Sequence, residues 1–356
     1  MSFEFEPNSG LTNGFHPAQP DAGLKPFGAA GFANPNWGFL SNSLPPGLGP
    51  EFLMNDSGAL SPVSHAHGSG GGRQPGGTST TATPAPTLVG SSSGLRIDLV
   101  WDSSVAKAPS GFETAIIGAA QHVASLYSNR MIVSVDVGYG EVGGSALGAG
   151  ALGESESYGY LLNYGTVTSA LGSQGYTFSA GNEPTTGQFF ATSAETKALG
   201  LVNPLSTSPD GFVGFTSSYP LYYGTSGTPS SSQYDLYAIA EHELTEVMGR
   251  IGIENTYSFN GKATYTPLDL FNYSRSGALS LSPSGGYFST SNGAANLGAY
   301  NNARNGGDIA DWSSLVPKDA FDAFTSPGVA GAMSANDVLE VAALGYKLSA
   351  MGVAAA

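Results

Sequence analysis

Residues 241–250 read Glu241-His242-Glu243-Leu244-Thr245-Glu246-Val247-Met248-Gly249-Arg250, and the rest of the 356-residue chain is best read outward from them. Just upstream, Ser232 can cap a helix start, with Asp235 three residues on as the acidic member of a capping box. Leu236, Ala240, Leu244, Val247, Met248 and Ile251 then recur as a core-facing stripe, so the spacing predicts a helix running to about Arg250. On that helix His242 and Glu246 are four residues apart, one above the other, where both side chains reach one ion. Ligands at i and i+4, with a Glu after the first, form the pattern in which the pair holds zinc and the Glu acts as general base; here that Glu is Glu243. A carboxylate as second ligand is harder and anionic, which lowers the Lewis acidity of the ion and extends the choice from Zn2+ to Mn2+ or Ca2+. The competing reading is a solvated acidic face on an ordinary amphipathic helix. Four acid and imidazole groups within six positions, in a chain with 27 acidic residues and 5 histidines, favour the metal.

The composition narrows the alternatives. Charged residues make up 11% of the chain and the formal net charge is -15. Phosphate binding needs clustered Lys and Arg, and with 12 in total neither nucleic acid nor an anionic membrane surface is expected as a partner. No stretch has the length of a membrane span, so membrane insertion is not expected. The chain has no cysteine, which excludes disulfides and thiolate ligands and leaves His and carboxylates to hold any metal. The first residues, Met1-Ser2-Phe3-Glu4-Phe5-Glu6, lack the basic start and apolar run of a cleaved signal peptide.

Residues 1–94 are crowded with Gly, Pro, Asn and Ser and read as a flexible extension, with a pro-segment or a protein-binding arm as alternatives. At Leu95 the character changes: Leu95, Ile97, Leu99 and Trp101 alternate as in a strand. Phe112, Ala115, Ile116, Ala119, Val123, Leu126 and Tyr127 follow at helical spacing, with Ser110 as the expected N-cap, and Met131 to Val137 reads as a second strand. Strand, helix, strand implies a parallel pair in a mixed sheet, hence an α+β fold. The passage to about Leu152 reads as glycine-rich loop, and 158–208 gives weak signals. Phe212 to Phe215 and Tyr219 to Tyr223 are expected as edge strands or a hairpin. Ser334 and Asp337 cap a last helix that Gly345 ends. His122 reads as a boundary histidine, and Tyr287, Tyr300 and Tyr346 as packing residues.

The 241–250 segment resembles the active-site helix of a group of bacterial secreted metzincin-like metalloproteases with a His-Glu-x-x-Glu variant, in which a Gly also stands three residues after the second ligand, as Gly249 does. Pro267-Leu268-Asp269-Leu270-Phe271, Gly286-Tyr287-Phe288-Ser289 and Gly307-Asp308-Ile309-Ala310-Asp311-Trp312 resemble segments of the same group, and Ala332-Met333-Ser334 resembles its Met-turn. The resemblance covers roughly Leu95 to Tyr346. It implies a metzincin-like zincin fold over 95–347: a mixed twisted sheet, an active-site helix and a C-terminal helix after the Met-turn-like segment. It also implies a secreted zinc endopeptidase acting on protein or peptide substrates.

Acidic, glycine-rich, cysteine-free chains resemble substrates of type I secretion machinery, whose address the small-residue tail 348–356 would supply; a cytoplasmic location is the alternative. The third ligand of the resembled pattern falls on Gly252, which has no side chain, and no histidine follows His242. A later carboxylate must then serve: Asp269 is the first choice, with Glu254, Asp308 and Asp311 as alternatives. An acid flanked by Leu268, Leu270 and Phe271 is expected to be buried and to need a cation, which an Asp269–Arg250 ion pair would supply without metal. Asp308 and Asp311 lie in an Asn/Gly-rich loop, where turns or a calcium site are the commoner roles. The rival function is a non-catalytic secreted surface module, adhesin-like, with a degenerate site.

Overall fold

The protein is described by a computed structural model over residues 51–54, 60–62, 83–178, 181–254, 256, 258–302, 304, 307–313 and 318–356. His65, His67 and most of the 1–94 extension lie outside these residues. The fold is α+β, with six α-helices and a mixed twisted sheet. Strand β4 (Leu95–Trp101) alternates buried and half-buried positions, and α1 (Phe112–Leu126) crosses back from it to β5 (Met131–Tyr139). The β4–β5 pair is parallel, Leu95 opposite Met131 and Trp101 opposite Val137. That is the crossover the sequence implies. The cap of α1 is Gly111 at φ +98° instead of Ser110.

Parts of the sequence taken as extension belong to the sheet. Strand β3 (Thr87–Gly90) lies antiparallel on β4, while β1 (Glu51–Met54) pairs antiparallel with both β2 (Leu60–Pro62) and a long strand from the centre of the chain. Phe52 and Met54 of β1 pack with Phe190 and Ile253 in a small second core.

Beyond a short hairpin of β6 (Glu141–Val142) and β7 (Ser145–Ala146), the central strand is β8 (Gly153–Asn163), followed by α2 (Tyr164–Gly172), β9 (Gln188–Thr192) and α3 (Ser193–Ala198). β8 takes β9 on one side and β10 (Gly211–Phe215) on the other, both antiparallel. β10 is therefore an interior strand, because its second side pairs parallel with β5; the edge position expected for Phe212 to Phe215 is corrected. Polar and glycine positions in β8, such as Gly153, Ser155, Gly159 and Glu156, hide the alternation that would have announced it. β11 (Leu221–Tyr222) pairs parallel with β12 (Tyr234–Asp235) just before α4 (Leu236–Val247).

Beyond α4, β13 (Ser258–Phe259) and β14 (Lys262–Tyr265) extend the main sheet past β9. Strands β15 (Asn272–Arg275), β16 (Ala278–Leu279), β17 (Tyr287–Phe288) and β18 (Gly298–Ala299) form a four-stranded sheet. The chain closes with α5 (Ala335–Ala343), capped by Ser334 and Asp337, and α6 (Ala350–Ala355). The 348–356 tail is thus partly helical, and Ser349 N–H bonds it to Leu126 O at the end of α1. Gly345, at φ +101°, ends α5 as the sequence predicts. Among the described residues no helix is long and apolar enough to cross a membrane.

Candidate metal centre

α4 begins one turn later than the Ser232 cap implies. Asp235 is its N-cap, accepting from Tyr237 N–H at 3.2 Å, and its other carboxylate oxygen accepts from Gly331 N–H. The C-terminus is set by Gly249 at φ +112°: Arg250 N–H bonds Thr245 O at 3.1 Å and Gly249 N–H bonds Glu246 O at 2.8 Å. This is the Schellman closure, and it needs a residue without a Cβ. The reversal turns Arg250 back under its own helix.

His242 Nδ1 lies 2.8 Å from Ala320 O, so the ring donates there and turns Nε2 to the other side, toward two carboxylates. Nε2 stands 3.2 Å from Glu246 Oε1 and 3.3 Å from Asp311 Oδ1. Among the described residues this is the group of three whose ligand atoms all lie within 4.8 Å of one another, and all three are buried. A tetrahedral zinc ion with ligands at about 2.0–2.1 Å sets neighbouring ligand atoms about 3.3 Å apart, close to both distances from Nε2. Ser155 of β8 donates to Glu246 Oε2 at 2.9 Å and orients that carboxylate, whereas Asp311 Oδ2 is buried without a hydrogen-bond partner. The residues present therefore fit a divalent ion by donor type, spacing and a carboxylate oxygen left over.

The third member of this group is Asp311, and Asp269, the first choice from sequence, is not in it. Asp269 is buried but turned elsewhere: its Oδ2 accepts from Thr266 N–H at 2.8 Å, Glu254 N–H at 2.9 Å and Ile253 N–H at 3.4 Å, closing a capping box over the turn Pro267–Phe271. The Asp269–Arg250 pair is corrected with it. Arg250, fully buried, donates from one terminal nitrogen to Asp311 Oδ1 at 2.6 Å and from the other to Glu246 Oε1 at 3.2 Å. Its Nε donates to Thr245 Oγ1, and the guanidinium sits 4.2 Å over the ring of Phe321. Burial pushes the Glu246 carboxyl up, but His242 and Arg250 outweigh it and hold the group down at about 2.

Asp311 is delivered by its neighbours. Trp312 N–H bonds Phe321 O at 2.8 Å, Asp311 O accepts from Asn301 N–H at 2.7 Å, and Trp312 Nε1 donates to Asp337 Oδ1 at 2.6 Å on the cap of α5. One short segment, Ala320–Phe321, thus fixes the His242 tautomer, supports Arg250 and anchors the strand-like piece carrying Asp311. Sequence reasoning did not single it out, since main-chain carbonyls leave no signature.

Glu243 packs against β8, where a Cβ on Gly153 would fall 2.4 Å from its Oε1. His242, Glu243, Glu246 and Asp311 are 1–4% exposed, so the site lies beneath the surface. Glu241, on another side of α4, is 2.5 Å from His122 Nδ1, so His122 is the half-exposed partner of a buried acid. Tyr300 donates to Glu340 and Tyr346 to Met248 O, both internal bonds, and Tyr287 bonds Gly293 O. The Gly331 to Ser334 segment lies against the start of α4, where a Cβ on Gly331 would meet Ala238 at 2.5 Å. No family model, curated protein or solved structure matches the chain.

Proposed function

We propose that this protein is a metal-dependent hydrolase of peptide bonds, with His242, Glu246 and Asp311 holding a divalent ion of the zinc class and Glu243 as general base. The observation that carries the reading is the Nε2 atom of His242, its ring held by Ala320 O, standing 3.2 and 3.3 Å from two carboxylate oxygens. An ion there supplies Lewis acidity toward a scissile carbonyl and toward water. The chain does the rest: Ser155 and Arg250 hold the two carboxylates in register, and Glu243, next along α4, takes a proton and delivers it to the leaving amine. Arg250 offsets part of the negative charge that two carboxylate ligands bring, countering the loss of Lewis acidity caused by replacing His with Glu.

A second reading, a non-catalytic module with a closed ionic core, is favoured by the same guanidinium, which already bonds both carboxylates, and by the burial of all four groups. Elemental analysis of wild type and His242→Ala, beside casein digestion with and without chelator, separates the two. The hydrolase gives about one zinc per chain, lost in His242→Ala, and chelator-sensitive digestion; Glu243→Gln keeps the metal and loses turnover. Absence of metal from the wild type would leave the closed core.

A further inference from the structure

Two of the acids that the sequence nominates as third ligand, Glu254 and Asp269, meet each other instead. Past Arg250 the chain runs through Gly252 to Glu254, whose N–H bonds Asp269 Oδ2 at 2.9 Å. Glu254, Asp269 and Asn272 are each 2% exposed. Asn272 Nδ2 donates to Glu254 Oε1. Among the described residues, Glu254 Oε2 and Asn272 Oδ1 are buried without a hydrogen-bond partner, and neither acid pairs with a Lys or Arg; burial, Asp269 and Asn272 act on Glu254. A buried acid pair with two orphaned oxygens and no cation is the inverse of the arrangement folded proteins adopt.

We propose that Glu254, Asp269 and Asn272 form a second cation site, separate from the His242 centre, which takes a hard divalent ion of the calcium class. Its ligands are the carboxylate oxygens of Glu254 and Asp269 and the Oδ1 of Asn272, whose amide turns from donating Nδ2 to Glu254 to presenting that oxygen; no imidazole is among them, and the set suits calcium and is a poor match for zinc. The ion takes the place of the proton that burial and Asp269 otherwise hold on Glu254, whose carboxyl is pushed up to about 9. Its role follows from Gly252. A Cβ there would lie 3.3 Å from Asp269 Oδ1, 3.2 Å from Ile309 and 3.4 Å from Ala310, so Gly252 alone lies between Asp269 and the segment that leads into Asp311. Calcium at this point braces the Asp311 segment from behind, whether or not the His242 centre is catalytic.

The test uses the full chain stripped with chelator, then dialysed against calcium chloride, for wild type, His242→Ala and Glu254→Gln. Gln reproduces the shape of the protonated acid, so Glu254→Gln should melt with the calcium-free wild type. Wild type and His242→Ala should each bind one calcium and melt roughly 5 °C or more higher at a hundred times the dissociation constant, while Glu254→Gln binds none and gains nothing. Absence of bound calcium from the wild type, or an equal gain in Glu254→Gln, would overturn the proposal. Parallel samples dialysed against zinc chloride, with zinc bound by wild type and Glu254→Gln but not by His242→Ala while His242→Ala still binds calcium, separate this site from the first.

Discussion

Replacing Arg250 with Met tests the charge balance of the centre. The substitution keeps an unbranched chain of comparable bulk over Phe321, so the cavity term is small, but it removes the bonds to Asp311 at 2.6 Å, Glu246 at 3.2 Å and Thr245 at 3.2 Å. Asp311 and Glu246 are 1% and 4% exposed, and among the described residues no other Lys or Arg bonds to them. Removing one side of a buried ion pair costs about 3–5 kcal/mol, because the remaining charge is left uncompensated. Urea denaturation at pH 7 with chelator should show that loss, a fall of roughly 10 °C in melting temperature. A divalent ion restores positive charge to the same oxygens, so zinc should stabilise Arg250→Met more than it stabilises wild type. A chelated variant within about 1 kcal/mol of wild type would refute the account of Arg250 as the charge that holds the two carboxylates together.

Three further outcomes follow from the geometry. Asp311→Asn should lose bound zinc, whereas Asp269→Asn should keep it and lose about 1–3 kcal/mol through weaker acceptance of three backbone N–H groups; elemental analysis and urea titration read the two effects, and retention of zinc in Asp311→Asn would remove Asp311 from the ligand set. Gly153→Ala places a Cβ 2.4 Å from Glu243 Oε1, so it should lower turnover many-fold with zinc still bound; unchanged casein digestion would show that Glu243 need not sit where it does.

The metal-free protein should be most stable near pH 4–5. Burial raises Glu340 to about 8, Asp322 to about 8 and Glu254 to about 9, above the roughly 4 of the unfolded chain, so the folded state holds extra protons and loses stability as pH rises through that window. Glu246, held at about 2, acts in the opposite sense and loses its contribution below about pH 4. Urea midpoints that rise from pH 4.5 to 8.5 would contradict this; Glu340→Gln, which keeps an acceptor for Tyr300, should flatten the fall.

How much of this was legible depends on whether the signal is local. The Leu95 alternation, the α1 stripe and the His242/Glu246 spacing each arise within one element, so period and side-chain chemistry reveal them directly. β8 was not legible, because its inward positions carry Gly153, Ser155 and Gly159, chosen to let Glu243, Glu246 and Phe190 approach the strand. β1 was hidden for a different reason: Glu51–Met54 joins β8 more than a hundred residues away, and its neighbours in sequence are Pro and Gly. That Asp269 and not Asp311 was favoured from sequence turns on a similar point. Apolar neighbours correctly marked Asp269 as buried, but backbone N–H groups can satisfy a buried carboxylate as well as a metal can. Asp311 sits in a Gly- and Asn-rich stretch that reads as a turn, and only the pairing of Trp312 with Phe321 carries it inward.

The buried charged groups of this protein are mostly acids, and they are kept there by three different means. Burial raises the carboxyls of Glu340 and Glu254 to about 8 and 9 and so favours their protonated forms, Asp269 and Asp235 take backbone N–H groups, and Asp210 pairs with Lys197 at 2.6 Å. Arg250 alone would place Glu246 and Asp311 in the third class. What sets them apart is His242, because an ion pair between Arg250 and two carboxylates gains nothing from a neutral imidazole whose lone pair is fixed on the same two oxygens. Either that imidazole is protonated in the folded protein, making the cluster a neutral four-membered salt bridge, or a metal ion occupies the point where three lone pairs converge. Ring 15N chemical shifts of His242 in protein prepared with zinc and with chelator distinguish the two directly: an imidazolium pattern unaffected by zinc belongs to the closed core, and a neutral ring whose Nε2 resonance moves with zinc belongs to the metal centre.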